Sequence, residues 1–188
     1  MEAFFISLLA VAVGEIGDKT QLLAVMLAAR FRKPVPIILG ILVATLANHA
    51  LAGVLGAWIR EVVPPQYLRA IVAVSFFAVA LWALKPDTID SGPVDAGHLG
   101  VFAVTLVSFF IAEIGDKTQI ATVVLAARFD SLIAVIAGTT AGMLVADVPA
   151  VLLGHTAAER IPFKWMRYTA AALFAALGIV AWFAPGPS

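Results

Sequence analysis

Cysteine is absent from this 188-residue sequence, and charged residues make up only 13% of it. Without cysteine the chain has no disulfides, no thiolate metal ligands and no thiol chemistry. The formal net charge is +0 at pH 7, so no basic surface indicates a nucleic-acid partner. No lysine or arginine precedes Lys19, whereas a cleavable signal peptide begins with a basic segment. We therefore expect the first apolar run to be retained as a membrane helix.

Apolar residues are the abundant class, at 62% of the sequence. A soluble domain is typically about half apolar and about a quarter charged. A helix that spans a membrane needs roughly 20 mainly apolar residues. The sequence predicts an all-α polytopic membrane protein with six transmembrane helices, at 3–28, 36–59, 66–84, 99–126, 132–156 and 165–184.

One seven-residue motif occurs twice, each time inside a long apolar segment. The first copy, residues 15–21, reads Glu-Ile-Gly-Asp-Lys-Thr-Gln, and the second copy, residues 113–119, is identical. The two copies are 98 residues apart, and at the same spacing Ala28-Ala29-Arg30-Phe31 matches Ala126-Ala127-Arg128-Phe129. The chain therefore consists of two related units of three helices each. Because three is odd, the second unit must enter the membrane from the opposite side, as in the inverted repeats of many secondary transporters.

The loops set the predicted boundaries and orientation. We expect one repeat over 1–84, a polar linker over 85–98 that is a solvated turn or, alternatively, a cytosolic cation sensor, and a second repeat over 99–188. Basic loop residues favour the cytoplasmic side. We therefore place both termini outside the plasma membrane, because seven basic residues fall on the linker side (Arg30, Arg32, Lys33, Lys85, Arg160, Lys164, Arg167) and three on the other (Arg60, Arg69, Arg128).

Small residues four apart occur in the fifth predicted helix, at Gly138 and Gly142, and more weakly at Gly40 and Ala44. This spacing lets membrane helices approach closely. It predicts internal helix packing, with a homodimer interface as the alternative.

Charged side chains at membrane depth are energetically unfavourable and usually mark a functional site. On a continuous helix Glu15 and Asp18 would share a face, as would Glu113 and Asp116. Gly17 and its counterpart weaken the helix and expose backbone carbonyls, which often bind cations in transporters. We expect the two motif copies to face each other and to bind one cation near mid-membrane.

One divalent cation or two protons would neutralise the formal charge of the two motif copies. Four carboxylates and two lysines, Lys19 and Lys117, leave two negative charges. Metal and protons should then compete for the same carboxylates. The lysines either offset this excess charge or pair permanently with the acids, for instance Lys19 with Glu15 one turn away.

The candidate ligands all present oxygen, a donor set that suits Mg²⁺, Ca²⁺ or Mn²⁺ better than Zn²⁺ or Cu²⁺. His98 lies in the linker and His155 near a helix end, so neither is a predicted ligand. We assign Asn48 and Asp147 supporting roles with the two lysines, with a local structural hydrogen bond as the alternative for Asp147, which aligns with His49. The predicted metal ligands are Glu15, Asp18, Thr20, Gln21, Glu113, Asp116, Thr118 and Gln119. No cofactor is predicted.

The competing interpretation of the motif is a salt-bridge network that only holds two helices together.

The doubled Glu-x-Gly-Asp-Lys-Thr signature resembles the Gdt family of cation/proton exchangers, which includes Golgi and chloroplast manganese and calcium transporters and bacterial manganese exporters. The resemblance covers both halves of the chain. It implies that Glu15, Asp18, Glu113 and Asp116 bind the ion, helped by the motif threonines and glutamines. It also implies Mn²⁺ or Ca²⁺ as the transported ion and protons as the exchanged one.

Two other functions compete with an antiporter. A passive cation channel could use the same acids. An intramembrane aspartyl protease would resemble Gly-x-Gly-Asp on one helix and Tyr-Asp on another. Here Glu15 stands at the first glycine position, and neither Tyr67 nor Tyr168 precedes an aspartate.

Overall fold

The computed structural model describes residues 1–85, 100–153 and 163–183, and all regular structure within these ranges is helical. Four of the described helices are long and apolar enough to cross a membrane, namely Pro34–Val62, Pro65–Ala83, Leu132–Leu153 and Trp165–Phe183, and Val101–Glu113 is a shorter apolar helix. The chain is thus an all-α polytopic membrane protein. In order, the helices are α1 (Glu2–Glu15), α2 (Lys19–Phe31), α3 (Pro34–Val62), α4 (Pro65–Ala83), α5 (Val101–Glu113), α6 (Lys117–Arg128), α7 (Leu132–Leu153) and α8 (Phe163–Phe183).

The predicted continuous helices 3–28 and 99–126 are wrong in one respect, because each is interrupted inside the motif. The first is split into α1 and α2, and the second into α5 and α6. The other four predicted segments agree with α3, α4, α7 and α8 to within a few residues, as far as they are described. Apart from Lys85, the predicted linker lies outside the described residues, as do His98 and His155.

Helix ends follow local sequence rules. Proline lacks a backbone N–H and suits the first turn of a helix, and Pro34 and Pro65 open α3 and α4. Arg32 ends α2 in a left-handed conformation (φ 52°), from which its N–H bonds to the carbonyl of Ala28. Between α6 and α7, the Arg60 guanidinium bonds to the carbonyl of Phe129 and lies 3.2 Å from the Asp130 carboxylate. These contacts fix the backbone where α2 and α6 end.

The sequence repeat is also a repeat of structure. The starts of α2, α3 and α4 recur 98 residues later as the starts of α6, α7 and α8, and the ends of α1 and α5 show the same offset. Helices of one half pack on helices of the other half. α1 packs on α7 just as its counterpart α5 packs on α3, and α4 packs on its own counterpart α8. The two halves therefore interlock, and neither has a core of its own.

Small residues allow these close contacts within the chain. A Cβ atom built on Gly142 would lie 2.5 Å from the carbonyl oxygen of Leu8, and one on Gly138 would clash with that of Phe4. A Cβ on Gly40 would lie 2.7 Å from the Cβ of Thr105. The small-residue faces are thus occupied by internal helix packing, the first of the two predicted uses. They leave the predicted homodimer without support from this motif.

The distribution of polar residues differs from that of a soluble protein. Buried positions include many polar and charged side chains, whereas the outward face of α3 exposes large apolar residues such as Leu51 and Trp58. Lipid can solvate an apolar outer surface, but buried polar groups need partners inside the protein. The buried polar positions with the least exposure are Ser7, Glu15, Asp18, Thr20, Thr45, His49, Thr105, Glu113, Thr118, Thr122, Thr139 and Asp147.

The Gly56→Ala substitution tests the tightest of these contacts. A Cβ there would clash with the carbonyl oxygen of Val123 on α6. We expect the variant to lose about 1–3 kcal/mol of stability, since backbone atoms must move apart. Thermal melting in detergent measures the loss. Gly100→Ala is the matched control, because a Cβ there meets nothing within 4 Å. Equal melting temperatures for Gly56→Ala and the parent would contradict the packing.

Candidate metal centre

Each motif copy forms a break between two helices. Glu15 is the last residue of α1 and Lys19 the first of α2, and the second copy is interrupted at the matching positions. Gly17 and Gly115 take left-handed conformations, with φ of +83° and +74°. Such φ values are unfavourable for residues with a Cβ. The glycines therefore terminate the first helix of each pair, and Glu15 and Asp18 do not share one helix face as predicted.

The motif glutamines hold the breaks in shape. The N–H of Gly17 donates to Oε1 of Gln21 at 2.9 Å, and that of Gly115 donates to Oε1 of Gln119 at 2.7 Å. The glutamine amides reach the other half of the chain: Nε2 of Gln21 donates to the carbonyl of Ala146 at 3.0 Å. Both glutamines, predicted as ligands, thus use their side-chain oxygens to satisfy backbone groups that the breaks leave open.

Three of the four predicted acids gather at one point between the breaks. Glu15, Glu113 and Asp116 each offer one carboxylate oxygen, and these oxygens lie within 4.8 Å of one another. All three side chains are buried. One oxygen of each glutamate, Oε1, has no hydrogen-bond partner in the described part of the chain. We call these three residues the carboxylate trio; they could hold a metal ion.

The motif threonines orient the trio. The Thr20 hydroxyl donates to Oε2 of Glu15 at 2.5 Å. The Thr118 hydroxyl lies 3.3 Å from Oε2 of Glu113 and 3.2 Å from Oδ2 of Asp116. A hydroxyl has only one proton, so it can donate to one of these oxygens at a time. The threonines therefore hold Oε2 of each glutamate and leave Oε1 of each without a partner among the described residues.

Helix ends add to the electrostatics of the trio. Glu15 and Glu113 end α1 and α5, and the C-terminus of a helix carries partial negative charge. Half-helix C-termini of this kind coordinate cations in transporters with interrupted helices. The carboxylates and the two helix termini thus favour a cation at the same place.

The fourth acid, Asp18, pairs with a lysine of the other copy. The Nζ atom of Lys117 bonds to Oδ1 of Asp18, and Nζ of Lys19 lies 2.9 Å from Oδ1 of Asp116. Each lysine therefore reaches across to the other motif copy. The pairing of Lys19 with Glu15 considered from the sequence is not the contact that forms. Sequence spacing suggested a partner one turn away, whereas the facing copies supply a nearer one.

The supporting residues lie at the edge of the site. Nδ2 of Asn48 donates to the carbonyl of Phe110 at 3.1 Å, and its Oδ1 accepts from Nε2 of Gln119 at 3.4 Å. Asp147 is fully buried, and neither carboxylate oxygen has a hydrogen-bond partner among the described residues. The structural hydrogen bond considered for Asp147 is therefore not formed with any residue that the structure describes.

Comparison with known proteins identifies the family. The family model described as "Divalent cation/proton antiporter GDT1" matches residues 3–91 and 101–186, which together include both motif copies. The chain belongs to this family. Membership confirms the resemblance noted from the doubled motif, and it makes the chain a member of a family of transporters.

Individual relatives match most of the chain. A protein of Vibrio cholerae serotype O1 named "Putative manganese exporter" is 49% identical over 175 residues, 93% of this chain and 87% of that protein. A "GDT1-like protein" of Synechocystis is 30% identical over 204 residues, 97% of each chain. The chloroplastic "Protein PAM71-homolog" of Arabidopsis thaliana is 31% identical, over 86% of this chain and 54% of its own. No solved structure matches the chain.

The Gly115→Ala substitution tests the break independently of packing, because a Cβ there meets nothing within 4 Å. Left-handed backbone costs an alanine about 1–2 kcal/mol, so we expect a lower melting temperature together with weaker metal binding. Gly115→Asn should be milder, since asparagine tolerates this conformation better. Melting and metal titration of both variants provide the measurement. An alanine variant as stable as the parent would show that the break does not need its glycine.

Proposed function

We propose that this chain is a secondary active transporter that exports Mn²⁺ from the cell in exchange for protons. The observation that carries the proposal is the buried carboxylate trio, which draws ligands from both motif copies at the meeting point of two helix breaks. Buried carboxylates need a counter-charge, and a bound cation or protons would supply it. Membership of an antiporter family supports alternation between the two.

The proposed architecture has six membrane crossings arranged as two inverted repeats. α1 with α2 forms one crossing and α5 with α6 another, and α3, α4, α7 and α8 form one each. Three crossings in each half, with exchanged contacts between the halves, favour an inverted repeat. In this arrangement the trio lies near the midplane. The domains are then 1–84 and 99–188, joined by a cytoplasmic linker at 85–98.

The proposed setting is the plasma membrane, with both termini outside the cell. The excess of basic residues in the loops on the linker side supports this orientation. Export then carries Mn²⁺ from the linker side to the side of the termini, while protons move inward.

Mn²⁺ is the proposed cargo on two grounds. The nearby side chains offer oxygen ligands, which suit Mn²⁺, Mg²⁺ and Ca²⁺. The name of the Vibrio cholerae relative selects Mn²⁺ from this group. Ca²⁺ is the second candidate, because larger hard cations accept the same donors. Of the eight residues predicted as ligands, Glu15, Glu113 and Asp116 are the proposed metal ligands. Thr20 and Thr118 orient them, and Asp18, Gln21 and Gln119 support the site through the contacts described above.

Proton coupling follows from shared ligands. A carboxylate that holds a proton loses its charge and cannot hold the metal as tightly. The trio therefore binds either Mn²⁺ or protons, and movement of the two halves would carry each in opposite directions. A passive channel with the same acids would bind Mn²⁺ but would not couple its movement to protons.

Flux through proteoliposomes tests the transport proposal. Purified protein should move Mn²⁺ against its gradient when a pH gradient is imposed, and Mn²⁺ movement should in turn move protons. We expect Glu15→Gln and Glu113→Gln to reduce flux at least about a hundredfold, since each deletes a charged ligand but keeps the side-chain shape. Glu61→Gln is the matched control, on an exposed glutamate at the end of α3.

Two outcomes would contradict the proposal. Mn²⁺ flux that is indifferent to the pH gradient would identify a channel instead of an exchanger. Normal flux in both glutamate variants, with normal melting temperatures, would show that the motif is not the transport site.

A second test measures Mn²⁺ affinity against pH by calorimetry. Because protons compete for the same carboxylates, we expect the dissociation constant to rise steadily from about pH 8 to about pH 5, approaching the range of ordinary carboxyl groups. The Glu113→Gln variant should bind more weakly and depend less on pH, because one competing carboxyl is gone. An affinity that is constant over this range would refute exchange through the trio.

A further inference from the structure

The two motif lysines occupy equivalent positions in the sequence but not in the structure. The Lys19 side chain is 26% exposed, whereas that of Lys117 is 4% exposed. Both are ion-paired to a buried aspartate of the opposite copy. A perfectly symmetric pair of repeats would bury them equally, so the fold itself distinguishes the two ion pairs.

Helix packing accounts for this difference. α4 packs against α6, which carries Lys117, but among the described residues no extensive contact joins the equivalent pair α8 and α2. A hydrophobic cluster includes Phe76 of α4, Leu125 of α6 and Phe174 of α8, and it contains no described residue of α2. α4 and α8 therefore both lie on the side of α6, and the start of α2 is left less covered.

The partners of the two lysines also differ in their relation to the site. Asp116, the partner of Lys19, belongs to the carboxylate trio, whereas Asp18, the partner of Lys117, does not. The Asp116 carboxylate also accepts the backbone N–H of Thr118 through Oδ2 and so caps α6. A cation held by the trio must therefore share Asp116 with the Lys19 ammonium, and two positive charges so close repel each other.

We propose that Lys19 is a displaceable internal cation: it neutralises Asp116 when the site holds no metal and withdraws when Mn²⁺ binds. The Lys117–Asp18 ion pair stays formed whether or not metal is bound, and it links the two halves. This inference rests on the proposed transport function and concerns the regulation of the same site. Lys19 sets the affinity by competition, because every binding event must break its ion pair and every release allows the pair to form again.

Partial exposure makes such displacement feasible. Moving a lysine ammonium out of a fully buried ion pair leaves two uncompensated charges, which is strongly unfavourable. Lys19 has a partly open side to which its flexible chain can turn, whereas Lys117 has almost none. The same substitution at the two lysines should therefore have opposite consequences for metal binding.

The matched pair Lys19→Met and Lys117→Met tests this inference, since methionine keeps an unbranched side chain and removes the charge. We expect Lys19→Met to bind Mn²⁺ at least about tenfold more tightly, because a competing positive charge near the metal is gone. Its turnover in proteoliposomes should fall, because the ion is released more slowly. Lys117→Met should melt at a lower temperature and bind Mn²⁺ no more tightly than the parent, since it removes the ammonium that bonds to the buried Asp18 carboxylate.

The Lys19→Arg variant keeps the positive charge and should change Mn²⁺ affinity in the opposite direction to Lys19→Met. Its guanidinium can pair with a carboxylate through two hydrogen bonds and should compete more strongly for Asp116. We expect Mn²⁺ binding several-fold weaker than in the parent, at a similar melting temperature. A purely structural Lys19 would give unchanged affinity in this variant.

The possible results separate this inference from the function on which it rests. A parent protein that binds no Mn²⁺ overturns the proposed function and this inference with it. A parent that binds Mn²⁺, with Lys19→Met no tighter or with both methionine variants equally tight, overturns the inference and leaves the function standing. Tighter binding in Lys19→Met, weaker binding in Lys19→Arg and no tightening in Lys117→Met would support it.

Discussion

The four motif carboxylates, buried in an apolar helical protein, are the constraint on which the rest of this structure depends. Isolated ionised acids are strongly unfavourable in such surroundings, so each must find a counter-charge or a hydrogen-bond donor. The lysines of the opposite copies neutralise two of them, and the threonine hydroxyls contact the others. The halves must therefore face each other, because neither copy can satisfy its own acids.

The helix breaks are the structural response to this constraint. They place the carboxylates of Glu15 and Glu113 close together at the ends of two helices. The exposed backbone groups of each break are satisfied by the glutamine of the same copy. Contacts of α1 with α6 and of α2 with α5 bring the breaks together, and Gly138 and Gly142 let α1 pack closely on α7. Glycine thus serves both the backbone conformation and the helix contacts.

Much of the fold and of the site could be predicted from the sequence. Hydropathy predicts the long helices because their outer surfaces must be apolar, and the duplication predicts two related units. Sequence analysis indicated that Gly17 weakens its helix but still predicted a continuous one. Neither the 98-residue repeat nor helical periodicity specifies the positive φ that Gly17 adopts. Helical periodicity also failed for Lys19, whose nearest acid along the helix is Glu15 but whose partner is Asp116. Contacts across the interface depend on the relative positions of two segments, which local periodicity does not encode.

The sequence by itself determined that this protein is helical, duplicated and built for a membrane, because composition and repetition follow directly from the chain. It also determined which residue types are available to hold a hard cation. Only the tertiary structure decided that Glu15, Glu113 and Asp116 form the trio while Asp18 pairs with Lys117. Two identical motifs can differ only through what packs around them, and here α4 and α8 cover one copy more fully than the other.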